Sequence, residues 1–233
     1  MNFLIDNDVV YKLAAFNLLD DAVEALNAKG CSISVLETLK FHAISKRRKE
    51  KYGEEAISRV FAFIDPLSNI TAEISDPVLI AAMDSVDNLD GGEMQLLSYL
   101  IDQGGNGVLL SGDKRFIRSL ANNESHFQGK LQTVENCFIS LEQIIVCILE
   151  HMSFDDLKTK IEPGLGADTA VKICFGDLKA SSKESVRKGL DSYISDLAES
   201  SGNLLVDIEQ LISGEYVSVP VASSCSDQVS FAD

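Results

Sequence analysis

The chain has 233 residues, of which 45% are hydrophobic, and it carries a formal net charge of −16 at pH 7. This length and composition are typical of a globular protein with one large domain, or with one domain of about 150 residues and a smaller appendage. The negative charge repels phosphate backbones at long range and counts against a protein that coats nucleic acid. It does not exclude an enzyme that holds divalent cations in an acidic pocket, because the metal reverses the local sign.

Three further features of the sequence bear on the compartment. No apolar run reaches about 18 residues, so no membrane span and no membrane partner are predicted. Acids in MNFLIDNDVV stand where a signal peptide has its apolar region, which predicts a cytoplasmic protein. The five cysteines are scattered, without CxxC or zinc spacing, and are expected to be buried thiols in a reducing compartment.

The first part of the chain alternates short apolar runs with helical patterns. In chain order, the predicted elements are a strand at 2–6, a helix over 9–26 that ends at Asn27 and Gly30, a strand at 31–34, helices over 35–51 and 54–64, an extended segment at 69–74, a helix that begins at Pro77 with Asp76 as its N-cap, a helix over 91–103, a strand at 107–110, a helix over 114–121, and a strand at 130–134. This alternation predicts an α/β fold, with a parallel sheet between helices on both faces.

The second part of the chain changes character. An apolar helix is predicted over 141–151, and another from Ser153 to 161, where Ser153 and Asp156 have the spacing of a capping box. After Pro163 and Gly164 a helical pattern continues to 211, with predicted breaks near Gly176, Gly189 and Gly202. An edge strand is predicted from Tyr216, where Pro220 is allowed, before a loosely held tail. We therefore divide the chain into a domain at 1–138, a mainly helical extension at 139–213 and a terminal segment at 214–233.

Four acids are predicted at the ends of elements. Asp6 closes the first strand, and Asp113 follows the strand at 107–110. Glu37 lies early in the helix that follows the second strand. Glu93 lies in the first turn of the helix that precedes the third strand, at 107–110. Ligand sites in parallel α/β sheets form at the carboxyl ends of the strands. If the first and third strands are neighbours, these carboxylates converge on one edge of the sheet.

Such a cluster is unfavourable without a counter-ion, because like charges raise one another's pKa values and oppose folding. A hard divalent cation resolves the conflict, since Mg²⁺ and Mn²⁺ take carboxylate oxygens and retain several waters. Such an ion polarises a phosphoryl oxygen and lowers the pKa of a bound water. The acids therefore indicate phosphodiester hydrolysis without a His, Cys or Ser nucleophile.

Each acid also has a structural alternative. Asp90 and Glu93 have the spacing of a capping box, and Asp113 stands where it would cap the next helix. Glu37 lies between leucines, where it would be an exposed residue of a helix face. Asp6 is harder to explain in this way, because a carboxylate at the end of a buried strand must be paired or bind a metal.

Four motifs in order resemble those of the PIN domain family of metal-dependent nucleases. They are FLIDNDVV, SVLETLKF, LDGGEMQLLSYL and VLLSGDKRF, and the resemblance covers residues 2–134. The resemblance implies a three-layer α/β/α fold with a central parallel sheet and one or two Mg²⁺ or Mn²⁺ ions. It also implies endonuclease activity, usually on single-stranded or structured RNA.

The resemblance further implies roles for individual residues. Asp6 is expected to be the central metal ligand, with Glu93 and Asp113 completing the cation site. Glu37 is expected to hold a second ion or to orient the attacking water. The remaining positions are two reserve ligands and a serine that supports the site by hydrogen bonding, namely Asp8, Asp90 and Ser111.

The run KFHAISKRRKEKYG contains the densest basic cluster of the chain, which begins at Lys46, about two helical turns after Glu37. It is a candidate guide for a phosphate backbone. The alternative is a solvated helix face with weak exposed pairs to Glu50 and Glu54. The candidate substrate-binding residues are Lys46, Arg47, Arg48, Lys49, Lys114 and Arg115.

Three functions remain open from the sequence. The first is a metal-dependent nuclease, with RNA as the expected substrate. The second is a non-catalytic scaffold in a larger assembly, in which the acids are caps and the C-terminal helices form an interface with a second copy or a protein partner. The third combines them as a toxin-like or defence nuclease, although the chain is longer than many small bacterial toxins of this family.

Overall fold

The structure is a computed structural model that describes residues 1–26, 31–71, 74–87 and 89–214. A parallel sheet of five strands forms the centre of this described part. The strands are β1 (Asn2–Ile5), β2 (Ser32–Leu36), β3 (Ser68–Ile70), β4 (Gly107–Ser111) and β5 (Phe138–Ser140). Their spatial order is β3-β2-β1-β4-β5, so the first strand lies in the middle.

The register fixes which strand ends meet. Ile5 of β1 lies opposite Val35 of β2 and opposite Leu110 of β4. The first and third strands of the sequence prediction are therefore neighbours, as the convergence of Asp6 and Asp113 requires.

Helices cover both faces of the sheet. They are α1 (Asn7–Ala15), α2 (Leu19–Ala25), α3 (Thr38–Ala43), α4 (Lys46–Tyr52), α5 (Glu54–Ile64), α6 (Pro77–Asp84), α7 (Gly91–Asp102), α8 (Lys114–Asn122), α9 (Leu141–His151), α10 (Phe154–Ile161), α11 (Thr169–Phe175), α12 (Lys183–Ser200) and α13 (Ile208–Ser213). Short 3-10 helices cover Glu124–Phe127, Lys130–Val134 and Glu162–Ala167.

Two hydrophobic cores lie on opposite faces of the sheet because side chains alternate along each strand. Phe3 and Ile5 of β1 join the core that contains α1, α2, α5 and α9. Leu4 joins the opposite core, which contains α6, α7 and α8. The predicted three-layer α/β/α class with a helical extension is thereby confirmed.

The extension packs directly on the first core. Buried residues of α9, α11 and α12 share that core with α1. Gln143 on α9 donates from Nε2 to the carbonyl of Val206 at 2.7 Å, and the N–H of Val206 donates to Phe138 of β5 at 2.9 Å. The boundary that we draw at residue 138 stays a prediction, and it divides elements that are in contact.

The strand predicted at 130–134 is wrong. This segment is a 3-10 helix, and the neighbour of β4 is β5. Leu131 and Val134 are buried at a spacing of three, which fits a helical turn with three residues per turn rather than the period of two in a strand. Asn136, with φ of +55°, then turns the chain into β5.

Three helix predictions also needed correction. The helix predicted over 9–26 is broken by Asn17, whose φ is +57°, into α1 and α2. The helix predicted over 35–51 begins only at Thr38, because β2 runs to Leu36, and it breaks where Ser45 caps α4. No break occurs at Gly189, which lies inside α12 against Cys174 of α11.

An extended segment was predicted at 69–74, and the strand observed in this part of the described chain is β3, Ser68–Ile70. The ends predicted at Asn27 and Gly30, and the edge strand predicted from Tyr216, lie outside those residues. No helix in the described part of the chain is long and apolar enough to cross a membrane.

Candidate active site

Asp6 stands at the carboxyl end of the central strand. Its N–H donates to the carbonyl of Leu110 at 3.0 Å, which continues the pairing of β1 with β4 by one residue. Its carbonyl accepts the N–H of Val10 at 3.2 Å and begins α1. Backbone bonds to two elements therefore fix the half-buried Asp6 at the point where strand and helix meet.

The start of α7 brings Glu93 to the same edge. Asp90 Oδ1 accepts the N–H groups of Gly92 at 2.8 Å and Glu93 at 2.9 Å, while Glu93 Oε2 accepts the N–H of Asp90 at 3.0 Å. This reciprocal pair is a capping box, as the spacing predicted. A Cβ on Gly92 would lie 3.1 Å from Leu36, so α7 begins against the carboxyl end of β2.

Asp113 lies two residues beyond β4. Its N–H donates to Oγ of the buried Ser111 at 3.2 Å, which shapes the turn after the strand. Its Oδ1 accepts the N–H of Arg115 at 2.8 Å and caps α8, and its Oδ2 lies 3.0 Å from Arg115 Nη2. Asp113 is therefore both a helix cap and half of an ion pair.

Burial and mutual repulsion disfavour the ionised forms of two of these acids. Burial is the largest cause that raises the pKa of Asp6 to about 7, and the charges of Asp8 and then Asp90 add to it. Hydrogen bonds from the N–H groups of Asn7 and Asp8 act against this rise. Burial first, and then the charges of Asp90, Asp6 and Asp113, raise the pKa of Glu93 to about 8. The five interacting carboxylates come from three separate segments of the chain.

Asp113 differs from its neighbours. Burial acts to raise its pKa, but the hydrogen bonds from the side chain and N–H of Arg115 hold the pKa below its ordinary value. At neutral pH the edge therefore combines a charged Asp113 with two carboxylates that bind protons readily.

These side chains fit a hard cation by the chemistry of their donors, since Mg²⁺ and Mn²⁺ prefer carboxylate oxygens. The neighbouring Asn7 has a buried Oδ1 without a hydrogen-bond partner among the described residues. No group of three His, Cys, Asp or Glu side chains within those residues has an arrangement that would hold a metal. The oxygens of Asp90, Glu93 and Asp113 already accept hydrogen bonds from helix N–H groups or from Arg115. A bound ion would therefore have to replace some of these hydrogen bonds.

Glu37 and Asp8 have partners of their own. Glu37 Oε1 lies 3.2 Å from Lys40 Nζ. Asp8 Oδ2 lies 2.5 Å from Lys12 Nζ, and the Tyr52 hydroxyl donates to Asp8 Oδ1 at 3.1 Å. The charge of Asp8 is therefore largely balanced from within the fold, which makes it a poorer ligand than Asp6.

The network around Lys12 was not predicted from the sequence. Lys12 Nζ lies between Asp8 and Asp168, at 2.9 Å from the latter, and joins α1 to the cap of α11. Although burial acts to lower it, the two carboxylates raise the pKa of Lys12 above its ordinary value. A Cβ on Gly112 would lie 3.2 Å from both Asp8 and Lys12, so the turn after β4 rests on this network.

A signal for this network is present in the sequence. Lys12 follows Asp8 at the i, i+4 spacing and stands in a run that is otherwise apolar, VVYKLAAF. A single lysine in such a run must be paired if it is buried. Its second partner, Asp168, is distant in the chain and has no sequence signal of its own.

A cavity of about 400 Å³ adjoins the network of Lys12 with Asp8 and Asp168. Its polar lining includes Asp8, Lys12, Lys51 and Lys114. Lys114 forms an ion pair with the buried Glu142 of α9. Of the two predicted substrate-binding residues on α8, Lys114 is thus engaged with the extension, whereas the side chain of Arg115 is 75% exposed.

The basic run forms α4, with Ser45 as its N-cap. The guanidinium carbon of Arg48 lies 4.7 Å from the centroid of the Tyr11 ring on α1. Lys46, Arg47 and Lys49 are exposed. The four predicted substrate-binding residues of α4 are therefore Arg48, which packs on Tyr11, and three solvent-facing cations.

Comparisons with protein-family models, with curated proteins and with solved structures give no match for this chain. The resemblance to the PIN domain family therefore stays a prediction from the four sequence motifs.

Proposed function

We propose that the chain is a metal-dependent endonuclease that cleaves RNA. The observation that carries the proposal is the meeting of Asp6 and Glu93, whose pKa values are raised to about 7 and about 8 by burial and by the neighbouring acids. Perturbed carboxylates at the carboxyl edge of a parallel sheet are typical of a functional site. A divalent cation would remove the cost of ionising them together.

Asp6 and Glu93 would hold Mg²⁺ or Mn²⁺, with Asp113 as the third ligand and Glu37 at the margin of the site. The ion would polarise a phosphoryl oxygen and lower the pKa of a coordinated water. Within the chain, Ser111 fixes the turn that carries Asp113, and the capping box fixes Glu93. Arg115 supplies a positive charge beside Asp113 that a substrate phosphate can share.

The test is cleavage of a labelled RNA with Mn²⁺ or Mg²⁺ by the full chain. Asp6→Asn and Asp113→Asn are each expected to lower the rate by about 100-fold or more, because each removes a charged donor from the site. Asp102→Asn is the matched control, since Asp102 is exposed at the opposite end of α7. Equal rates for Asp6→Asn and Asp102→Asn would contradict the proposal.

A non-catalytic scaffold is the second candidate. It is favoured by the contacts of the acids, since Asp90 and Asp113 cap helices, Glu93 closes a capping box and Glu37 pairs with Lys40. A scaffold would show no cleavage of RNA or DNA with either metal, and its melting temperature would not respond to them.

A further inference from the structure

A stripe of side chains runs along one side of α3 from Glu37, one of the predicted ligands. Glu37, Phe41 and Ile44 stand at i, i+4 and i+7, on the side opposite the buried Leu39 and Ala43. Phe41 is 60% exposed and Ile44 is 63% exposed. The stripe therefore places an aromatic ring one helical turn beyond Glu37, in solvent.

The cations around this stripe distinguish it from other exposed apolar positions. Lys40 Nζ lies 5.1 Å from the centroid of the Phe41 ring. Residues 46–51 of α4 contain five basic residues and one acid, in a chain whose net charge is −16. The exposed cations of this segment are Lys46, Arg47 and Lys49. A concentrated positive charge beside an exposed ring is the combination that binds the phosphates and bases of a single strand.

We propose that residues 40–49, the α3–α4 surface, bind an unpaired nucleic-acid strand, with the Phe41 ring stacked on a base and Lys46, Arg47 and Lys49 on phosphates. Stacking requires a base whose face is open, so a duplex is a poorer ligand than a single strand. An acidic protein would use the cations but would gain no stacking from the ring. The proposal rests on the proposed function for its direction, since Phe41 stands in the chain between Glu37, a predicted ligand, and the cations of α4.

The experiment measures binding separately from cleavage. A fluorescently labelled single strand of polyuridine RNA is titrated with the full chain in EDTA, and the anisotropy gives Kd. Phe41→Ala is expected to raise Kd by about tenfold, because one stacked base is lost. Phe41→Tyr, which keeps the ring, is expected to stay within about twofold of the parent.

The electrostatic part is tested by the salt dependence of Kd. Lys46→Gln with Lys49→Gln is expected to weaken binding and to reduce the slope of log Kd against log salt by about 1.4, since each single-strand phosphate contact contributes about 0.7. Lys179→Gln with Lys188→Gln removes the same charge from exposed positions on the extension and should leave the slope nearly unchanged. Ile173→Ala, at a side chain that is 62% exposed, is the apolar control for Phe41→Ala.

The outcomes separate this inference from the nuclease proposal. Loss of binding in Phe41→Ala but not in Ile173→Ala supports the α3–α4 surface, even if no metal supports cleavage. Equal effects of the two alanine variants, or tighter binding of duplex than of single strand, overturns it, even if the parent cleaves RNA. Displacement of the RNA by polyglutamate, with no effect of Phe41→Ala, would overturn it in favour of an acidic protein ligand.

Discussion

Asp6 is a residue whose ionisation is opposed by the fold. Its pKa is raised from 3.8 to about 7, so without metal the folded chain binds a proton that the unfolded chain has lost. The stabilisation from this proton is complete below about pH 4 and is lost as the pH rises through about 7. Charge at Asp6 therefore destabilises the metal-free protein at alkaline pH.

Asp6→Asn should remove this penalty. In EDTA at about pH 8 the variant is expected to be more stable than the parent by roughly 1–3 kcal/mol, since one pKa unit corresponds to about 1.4 kcal/mol and partial solvation reduces the effect. The difference should vanish near pH 4. Urea unfolding at several pH values measures it, and a variant that is less stable than the parent at pH 8 would contradict the assignment.

Lys12 is the second residue with a testable role. Its ammonium group balances Asp8 and Asp168, and the side chains of Lys12 and Asp168 are each 10% exposed. Lys12→Met would leave two carboxylates without their partner and is expected to lower the free energy of unfolding by about 2–4 kcal/mol.

The control for this prediction is Lys46→Met. Lys46 lies 3.7 Å from Glu50, and its side chain is 89% exposed, so the change should cost less than about 1 kcal/mol. Both variants are compared with the parent by urea unfolding at neutral pH. Similar losses in the two variants would mean that the Lys12 network contributes no more than a surface pair.

At the scale of elements, local signals predicted most of the helices. Asp76 before Pro77, and Asp90 with Glu93, are short-range capping chemistry, and both caps are present as predicted. The predictions were wrong where the hydrophobic pattern of the sequence was ambiguous. The segment at 130–134 has five residues and β5 has three, too few for the sequence to show a clear period of either a helix or a strand.

The 3-10 helix at Glu162–Ala167 packs against α1 so closely that one position excludes a side chain. A Cβ on Gly164 would lie 2.1 Å from the carbonyl oxygen of Ala15. Gly164→Ala should therefore lower the free energy of unfolding by about 2 kcal/mol or more. A Cβ on Gly166 would have no neighbour within 4 Å, so Gly166→Ala should stay within about 0.5 kcal/mol of the parent.

Thermal unfolding of the two alanine variants gives the comparison. Equal melting temperatures would mean that the extension does not pack closely against α1 at Gly164. Because Lys12 and Gly164 both join α1 to the segment before α11, a loss in both variants would locate a single contact region between the extension and the site.

At the scale of the whole molecule, the extension and the sheet share one core. Ile144, Ile145 and Ile148 of α9 are buried with side chains of α1 and α2. A chain that ends at Leu141 would expose this apolar surface to water. We expect it to lack a cooperative thermal transition by circular dichroism, whereas the full chain unfolds in one transition. A cooperative transition of the short chain would instead support an independent domain at 1–138.

The sequence predicted that three acids lie near one another better than it predicted which residues surround them. Asp6, Glu93 and Asp113 follow strands or open helices, so the rule for parallel sheets places them at one edge. The partners of the site were not predictable, because Asp168 and Glu142 reach Lys12 and Lys114 only through tertiary packing of the extension. Local patterns contain no information about contacts over such separations in the chain.

Isothermal titration calorimetry at about pH 8 measures the binding of Mn²⁺ by the metal-free chain, on which the proposed function depends. We expect saturable binding that is lost in Asp6→Asn and in Glu93→Gln and is retained in Asp102→Asn. The binding should weaken as the pH falls below about 7, because protons then compete for the carboxylates. Absence of binding by the parent, or binding that is unchanged in Asp6→Asn and Glu93→Gln, would contradict the proposed function.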